Sequence, residues 1–252
     1  MRKVILTHPN TIAPMLWRSV GWGFFLTLVI APEWYRPVLS ILNDEHVDPV
    51  YHADSLIHLT MAHIGLSLLS TLIATLIAVT LAIVVTRPRF SNNRAIAETL
   101  IRLAQAVPPV VVLALVIPSL GFGNIPTIVA LGLYGLLPIF ERTMAGLEGL
   151  SLTVLESARA MGMNPQQILW HIELPLSRRA ILEGIRLSLT VSIGTATLGS
   201  TVAAKSLGEL ILAGLLSNNN AYLVQGALIS GLMAMLVYDL LRMLEREFVG
   251  VG

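Results

Sequence analysis

The chain has 252 residues, 55% of them hydrophobic and 12% charged, with a formal net charge of +1. Soluble domains carry about twice that share of charge, and a mean hydropathy of +0.77 identifies an integral membrane protein. The chain has no cysteine, which excludes disulfides, thiolate metal sites and a cysteine nucleophile.

A helix that crosses a bilayer needs about 20 mostly apolar residues. Six segments satisfy that length, so the expected fold is all-α with six transmembrane helices. The first, 15–31, has no convincing small-residue cleavage site and runs into Pro32, Trp34 and Tyr35. It reads as an uncleaved helix with an interfacial aromatic anchor. The loop that follows carries Asp44, Glu45, His46, Asp48, His52, Asp54 and His58. Those spacings match no strong metal-ligand pattern, and a solvated loop in reach of an external partner is the expectation.

The second and third spans are expected at 59–85 and 100–120. In the third, Gln105 precedes Pro108-Pro109 and the segment ends near Pro118. Prolines free backbone groups and bend a helix. Gln105 beside the bend either faces water or substrate, or hydrogen-bonds a neighbouring helix. The fourth span is expected at 125–147. The fifth, at 180–203, carries small residues at every fourth position: Ala180, Gly184, Ser188, Ser192, Ala196, Ser200 and Ala204. Such a ridge allows close helix packing in lipid. Two readings stand at this point: packing within one subunit, or a position between two subunits beside a translocation path. Residues 206–216 then read as a short apolar helix, Asn218 to Asn220 as a loop, and 222–241 as the sixth span.

His63, Glu141 and Asp239 sit near expected span ends, with Arg142 and Arg242 as candidate ion-pair partners. No span has the central array of ionisable residues that a proton relay needs. Arginine and lysine set the orientation. Arg2, Lys3 and Arg18 lie at the start, Arg87, Arg89, Arg94 and Arg102 after the second span, and Arg142, Arg159, Arg178, Arg179 and Arg186 around the fourth-to-fifth loop. Arg242 and Arg246 close the chain, and only Arg36 and Lys205 fall on the other side. The positive-inside rule puts both termini and the fourth-to-fifth loop in the cytoplasm. The chain divides into an N-terminal helix and outward loop (1–58), a core (59–241) with a cytoplasmic loop at 148–179, and a tail (242–252).

That loop is the most ordered polar segment. Glu156 to Met161 reads as a short helix, with Ala158 and Met161 on one side and Arg159 on another. Gly162 can take the left-handed conformation that ends a helix. Asn164 is a good N-cap, Pro165 suits the first helical position, and Gln167 completes a capping box. Ile168, Leu169 and Ile172 give the second helix an apolar stripe, and Pro175 is expected to stop it. The expected shape is an elbow: helix, glycine bend, helix, proline stop.

The spacing from Glu156 to Pro175 resembles the EAA loop of permeases from binding-protein-dependent ABC importers. The pattern is E-A-A, three residues, Gly, nine residues, I-x-L-P; here Glu156-Ser157-Ala158, Gly162 and Ile172-Glu173-Leu174-Pro175 occupy it, with Ser157 the only departure. The resemblance implies a MetI-like fold and a loop of coupling helices that docks into a cleft of a cytoplasmic ATPase. Glu156, Ser157, Ala158, Arg159, Gly162, Asn164, Pro165, Ile172, Leu174 and Pro175 would form that coupling element, with Glu156 and Arg159 pairing at its rim. It implies two ABC ATPase subunits, which bind ATP and Mg, a second permease subunit, related rather than identical, and a separate periplasmic or extracellular binding protein. No cofactor is expected on this chain and no nucleic-acid partner. The chain itself has no phosphate-binding G-x-x-x-x-G-K-[ST] loop.

From about Arg87 to Asp239 the chain also resembles permeases of osmoprotectant uptake systems for glycine betaine, choline and carnitine. Gln105-Ala106-Val107-Pro108-Pro109, Gly194-Thr195-Ala196-Thr197-Leu198-Gly199 and Ser206-Leu207-Gly208-Glu209 carry that likeness. It implies a permease of such a system in a bacterial cytoplasmic membrane. The rival reading is a secondary carrier or channel subunit that works without ATP. Its marks would be intramembrane charges or inverted repeats.

Overall fold

The computed structural model describes residues 12–43 and 47–249. The expectations that rest on Arg2, Lys3, Asp44, Glu45, His46, the side chain of Arg246 and residues 250–252 lie outside it. Within the described residues the regular elements are helical. They are α1 (Ile12–Ile30), α2 (Arg36–Leu39), α3 (Leu56–Val85), α4 (Arg94–Ala106), α5 (Pro109–Leu120) and α6 (Asn124–Glu148). Then follow α7 (Leu152–Ala160), α8 (Pro165–Ile168), α9 (Leu174–Thr195), α10 (Gly208–Ser217) and α11 (Asn220–Val249).

Four helical runs are long and apolar enough to cross a membrane: α3, α6, the run Pro165–Val202 that contains α9, and Asn220–Glu245 of α11. The other two expected spans are bent pairs. Leu16–Ile30 turns through 103° into Pro32–Leu42, and α4 meets α5 at 94°. The expected third span, 100–120, is therefore broken rather than continuous. Val107 and Pro108 are extended, with ψ of 120° and 139°, because a residue before proline is pushed out of the helical region. Pro109 then restarts the helix at its first position, where a missing N–H costs nothing. Gln105 lies half-buried in the last turn of α4, just before this break.

The core is built on α6, which packs against α3, α9, α4 and α5. Ala74, Ala78 and Ala82 of α3 face Ile139, Phe140 and Met144 of α6 across one apolar cluster. Against α9 the approach is closer still. A Cβ on Gly184 would stand 3.0 Å from the Ile139 Cα and from the Pro138 carbonyl oxygen, and one on Gly135 would stand 2.5 Å from Ser188 Oγ. Ser188, Ser192, Ala196 and Ser200 are all buried within this chain, and Thr71 of α3 reaches Ser192 Oγ at 3.4 Å. From Gly184 to Ser192 the small-residue ridge is thus a seam between α9 and this chain's own α6 and α3. Of the two readings of Gly184, Ser188, Ser192, Ala196 and Ser200, their burial within this chain supports packing within one subunit.

Several polar residues pair differently from expectation. Asp239 is held by Arg18 of α1, with Nε–Oδ2 at 2.5 Å, and not by Arg242. Glu141 meets Arg102 of α4 at 3.3 Å, while Arg142 turns to Glu183 at 3.6 Å. His63 is wholly buried and joins three segments, instead of snorkelling or ion-pairing. At the end of the molecule near the α10–α11 junction, Asn219 ties the 47–55 segment down. It accepts from Asn43 at 2.7 Å and donates to the Asp48 carbonyl at 3.0 Å. The short helix expected at 206–216 forms as α10, Gly208–Ser217.

Candidate functional site

The loop between α6 and α9 takes its shape from local backbone chemistry. α7 begins after Ser151 and runs earlier than expected, from Leu152. It ends with Met161 as C-cap and Gly162 at φ +80°. Gly162 N–H donates to the Arg159 carbonyl at 2.9 Å and Met163 N–H to the Ala158 carbonyl at 3.2 Å. This pair of bonds is a Schellman turn, which satisfies carbonyls that the helix end would leave orphaned. Asn164 then starts α8 with both halves of a capping box. Its Oδ1 accepts the Gln167 N–H at 2.9 Å, and its own N–H donates to Gln167 Oε1 at 2.9 Å. Pro165 occupies the first turn.

The proline stop does not occur. Leu169–Glu173 is a π-turn, and Leu174 N–H bonds back to the Leu169 carbonyl. Pro175 follows inside the first turn of α9. A first-turn proline breaks no hydrogen bond, and the wider π-turn before it carries the chain from α8 into α9. The helical run therefore continues from Pro165 to Val202. Ile172 and Leu174 are half-buried along it, and Pro175 is exposed.

The two short helices touch each other, and Ala158 and Ile168 are their buried residues. Glu156, Ser157, Arg159 and Asn164 are exposed. Among the described ion pairs, none joins Glu156 to Arg159, so the expected rim pair is not formed in the isolated chain. Met161 and Trp170 leave 74% and 67% of their surface free. Together with Leu152 and Leu176 they give the loop an uncovered apolar surface. Trp170 escaped the sequence reading because it falls off the stripe of Ile168 and Ile172. Its signal was there, as an aromatic residue in an otherwise polar segment.

A family model described as "Binding-protein-dependent transport system inner membrane component" matches residues 75–249. The chain belongs to this family. It is 35% identical over 197 residues to the choline transport system permease protein OpuBB of Bacillus subtilis, across 78% of this chain and 90% of that one. It is 32% identical over 230 residues to the osmoprotectant import permease protein OsmY of Salmonella typhimurium, across 91% of this chain and 94% of that one. Its fold is similar to that of a chain of the MetNI methionine ABC transporter in an inward facing conformation. That match has a TM-score of 0.69 at 18% identity and covers 77% of this chain and 96% of the other.

The chain is a permease subunit of an ABC importer, with the MetI-like helical fold, and is a multi-pass membrane protein. The reading as a secondary carrier or channel is set aside. The permease's α1, α2 and the start of α3 precede the matched region, which covers the coupling-type loop and the α6–α9 seam.

The second set of sequence likenesses also has a geometric reason in the permease. After α9 the chain tightens into a 3-10 stretch, Ala196–Val202, and α10 lies against it. Gly208 sits so close that a Cβ there would be 1.9 Å from the Thr197 carbonyl oxygen. Gly199 is pressed on Thr127 of α6 in the same way, at 2.6 Å. His63 closes the arrangement from α3: its Nδ1 accepts the Leu207 N–H at 3.2 Å and its Nε2 lies 2.7 Å from the Ile193 carbonyl oxygen.

Proposed function

We propose that this permease carries a quaternary-amine osmoprotectant such as glycine betaine or choline across a bacterial cytoplasmic membrane. ATP hydrolysis takes place on two separate ABC ATPase subunits. The observation that carries the coupling part is the elbow at 156–175: a Schellman turn at Gly162 and a capping box at Asn164 fix two short helices packed through Ala158 and Ile168, with Met161 and Trp170 beside them uncovered. A loop with its hydrogen bonds satisfied internally transmits displacement as a unit, and its bare Met161 and Trp170 suit a partner's cleft. The likeness to choline and osmoprotectant permeases supports the cargo. Both termini lie in the cytoplasm in this reading, on the same side as the elbow, which the arginine distribution supports. A second, related permease completes the translocation unit, and a separate external binding protein delivers the cargo.

The test is uptake of radiolabelled glycine betaine and choline into proteoliposomes holding the permeases, the ATPases and the binding protein. Uptake is expected to need ATP and all components. Uptake driven by an ion gradient without the ATPases would overturn the proposal.

A further inference from the structure

One short connector grips the coupling-type loop at both of its ends. At the start of the loop, Glu148 closes α6. Arg94 binds it with two nitrogens: Nη1 meets Oε1, and Nη2 meets Oε2 at 3.1 Å. At the far end, Glu173 closes the π-turn and accepts a hydrogen bond from Arg87 Nη2 at 2.7 Å. Arg87 and Arg94 flank the 3-10 turn Pro88–Asn93, which joins α3 to α4. Each arginine is also fastened to its own helix. Arg87 Nε donates to the Ile83 carbonyl and Nη2 to Thr86 Oγ1, both at 3.2 Å. Arg94 Nε donates to Glu98 of α4 at 2.7 Å.

The Arg87–Glu173 pair differs from ordinary surface pairs, which contribute little, while Arg94 and Glu148 are 43% and 41% exposed and depend on their geometry. Glu173 has only 12% of its side chain exposed, so its carboxylate depends on Arg87 for what water would otherwise supply. The two-nitrogen grip of Arg94 on Glu148 is directional as well as attractive. Apolar packing between helices permits sliding, whereas a directed ion pair resists it. α6 and α9 are continuous with the loop and follow it through the backbone. α3 and the broken pair α4–α5 are not, and the connector supplies directed polar ties from them to its two ends.

We propose that Arg87 and Arg94 are positioning residues for transport. They strap the loop to α3 and α4, so that a displacement of the elbow also moves α3 and the bent α4–α5 pair. The π-turn fits this role, since such turns concentrate at functional sites and this one sets Glu173 beneath Arg87. The proposal rests on the reading of the elbow as the ATPase contact.

The test uses the assembled transporter. Because the chain lacks cysteine, two introduced cysteines, Ile77→Cys on α3 and Leu228→Cys on α11, can be spin-labelled on the purified permease before it is assembled with its partners. Their distance is measured in the nucleotide-free and ATP-trapped states. The unsubstituted strap is expected to give a nucleotide-dependent shift. Glu173→Gln and Arg87→Gln should lose it, and the double reversal Arg87→Glu with Glu173→Arg should recover it. A shift that survives both single substitutions, no shift with the native strap, or a reversal that fails to recover it overturns the proposal. Cargo identity does not enter this readout. Failure of the ATPases to bind the native chain would be distinct, and would overturn the coupling reading together with the strap.

Discussion

His63 of α3 and Ile193 of α9 are joined by a 2.7 Å hydrogen bond between the imidazole Nε2 and the backbone carbonyl, in a fully buried position. The Leu207 N–H donates to Nδ1 on the other side of the ring, so the ring carries its proton on Nε2 and donates it to Ile193. One neutral side chain thereby links α3, the end of α9 and the entry to α10. His63→Leu leaves a buried donor at Leu207 without its partner. The expected cost is about 1–3 kcal/mol, read as a lower thermal midpoint of the purified permease. An unchanged midpoint would show that the ring is only a space-filler.

At Gly162 the backbone needs φ +80°, a region that costs a side-chain-bearing residue about 1–2 kcal/mol. Gly162→Val should distort the elbow and leave the spans untouched. Membrane insertion and ATP hydrolysis by the assembled complex should persist while uptake falls sharply. Normal uptake per ATP consumed by this variant would sink the elbow argument.

Two nearby glycines should respond in opposite ways to the same change. A Cβ at Gly208 would collide with the Thr197 carbonyl, whereas one at Gly194 meets nothing within 4 Å. Gly208→Ala must push α10 off the 3-10 stretch, and overpacking of this kind costs about 1–3 kcal/mol or more. Gly194→Ala sits inside α9 and gains about 1 kcal/mol of helix propensity. Comparing the unfolding midpoints of the two purified variants checks the packing directly.

The far end of the molecule carries a pH-sensitive pair. Lys205 donates to Asp54 at 3.1 Å and to Glu209 at 3.2 Å, and Asp54 also accepts the Ser55 N–H at 2.7 Å. The hydrogen bond from Lys205, then that from Ser55, holds the Asp54 carboxyl below its ordinary range. The hydrogen bonds to Asp54 and Glu209 hold the Lys205 ammonium above its own. A lowered carboxyl pKa contributes stability above the unfolded value of about 3.9 and loses it as pH falls through the folded value. A raised lysine pKa contributes below about 10.4 and loses it as pH rises through the folded value. Stability from this pair is expected to be flat near neutrality and to decline at both extremes. Asp54→Asn should shrink the acid-side decline in a melting series, and an identical acid limb would remove the pair from the account.

The elbow was legible in the sequence because capping is local. Gly162 answers to Arg159, Met163 to Ala158 and Asn164 to Gln167, so each bond closes within five residues. The break in the third span was legible only as a bend. Pro108 and Pro109 remove donors wherever they stand, but the 94° turn also reflects where α4 finds partners. Those partners are Glu141 and Glu148 on α6. At Pro175 a sound local rule gave the wrong result, since the π-turn before it let the helix continue.

By itself the sequence determined an all-helical membrane protein, the kind of loop it presents and the family to which it belongs. Composition, period and caps act over one or two turns of chain. Only the tertiary structure decided what the period-four ridge packs against, which carboxylate each arginine holds, and that His63 is a staple. Those facts depend on groups such as Arg87 and Glu173, or His63 and Ile193, that are distant in sequence. Helix periodicity shows which face of a helix is small or polar. The neighbour that covers the face is set by the packing of all the helices together.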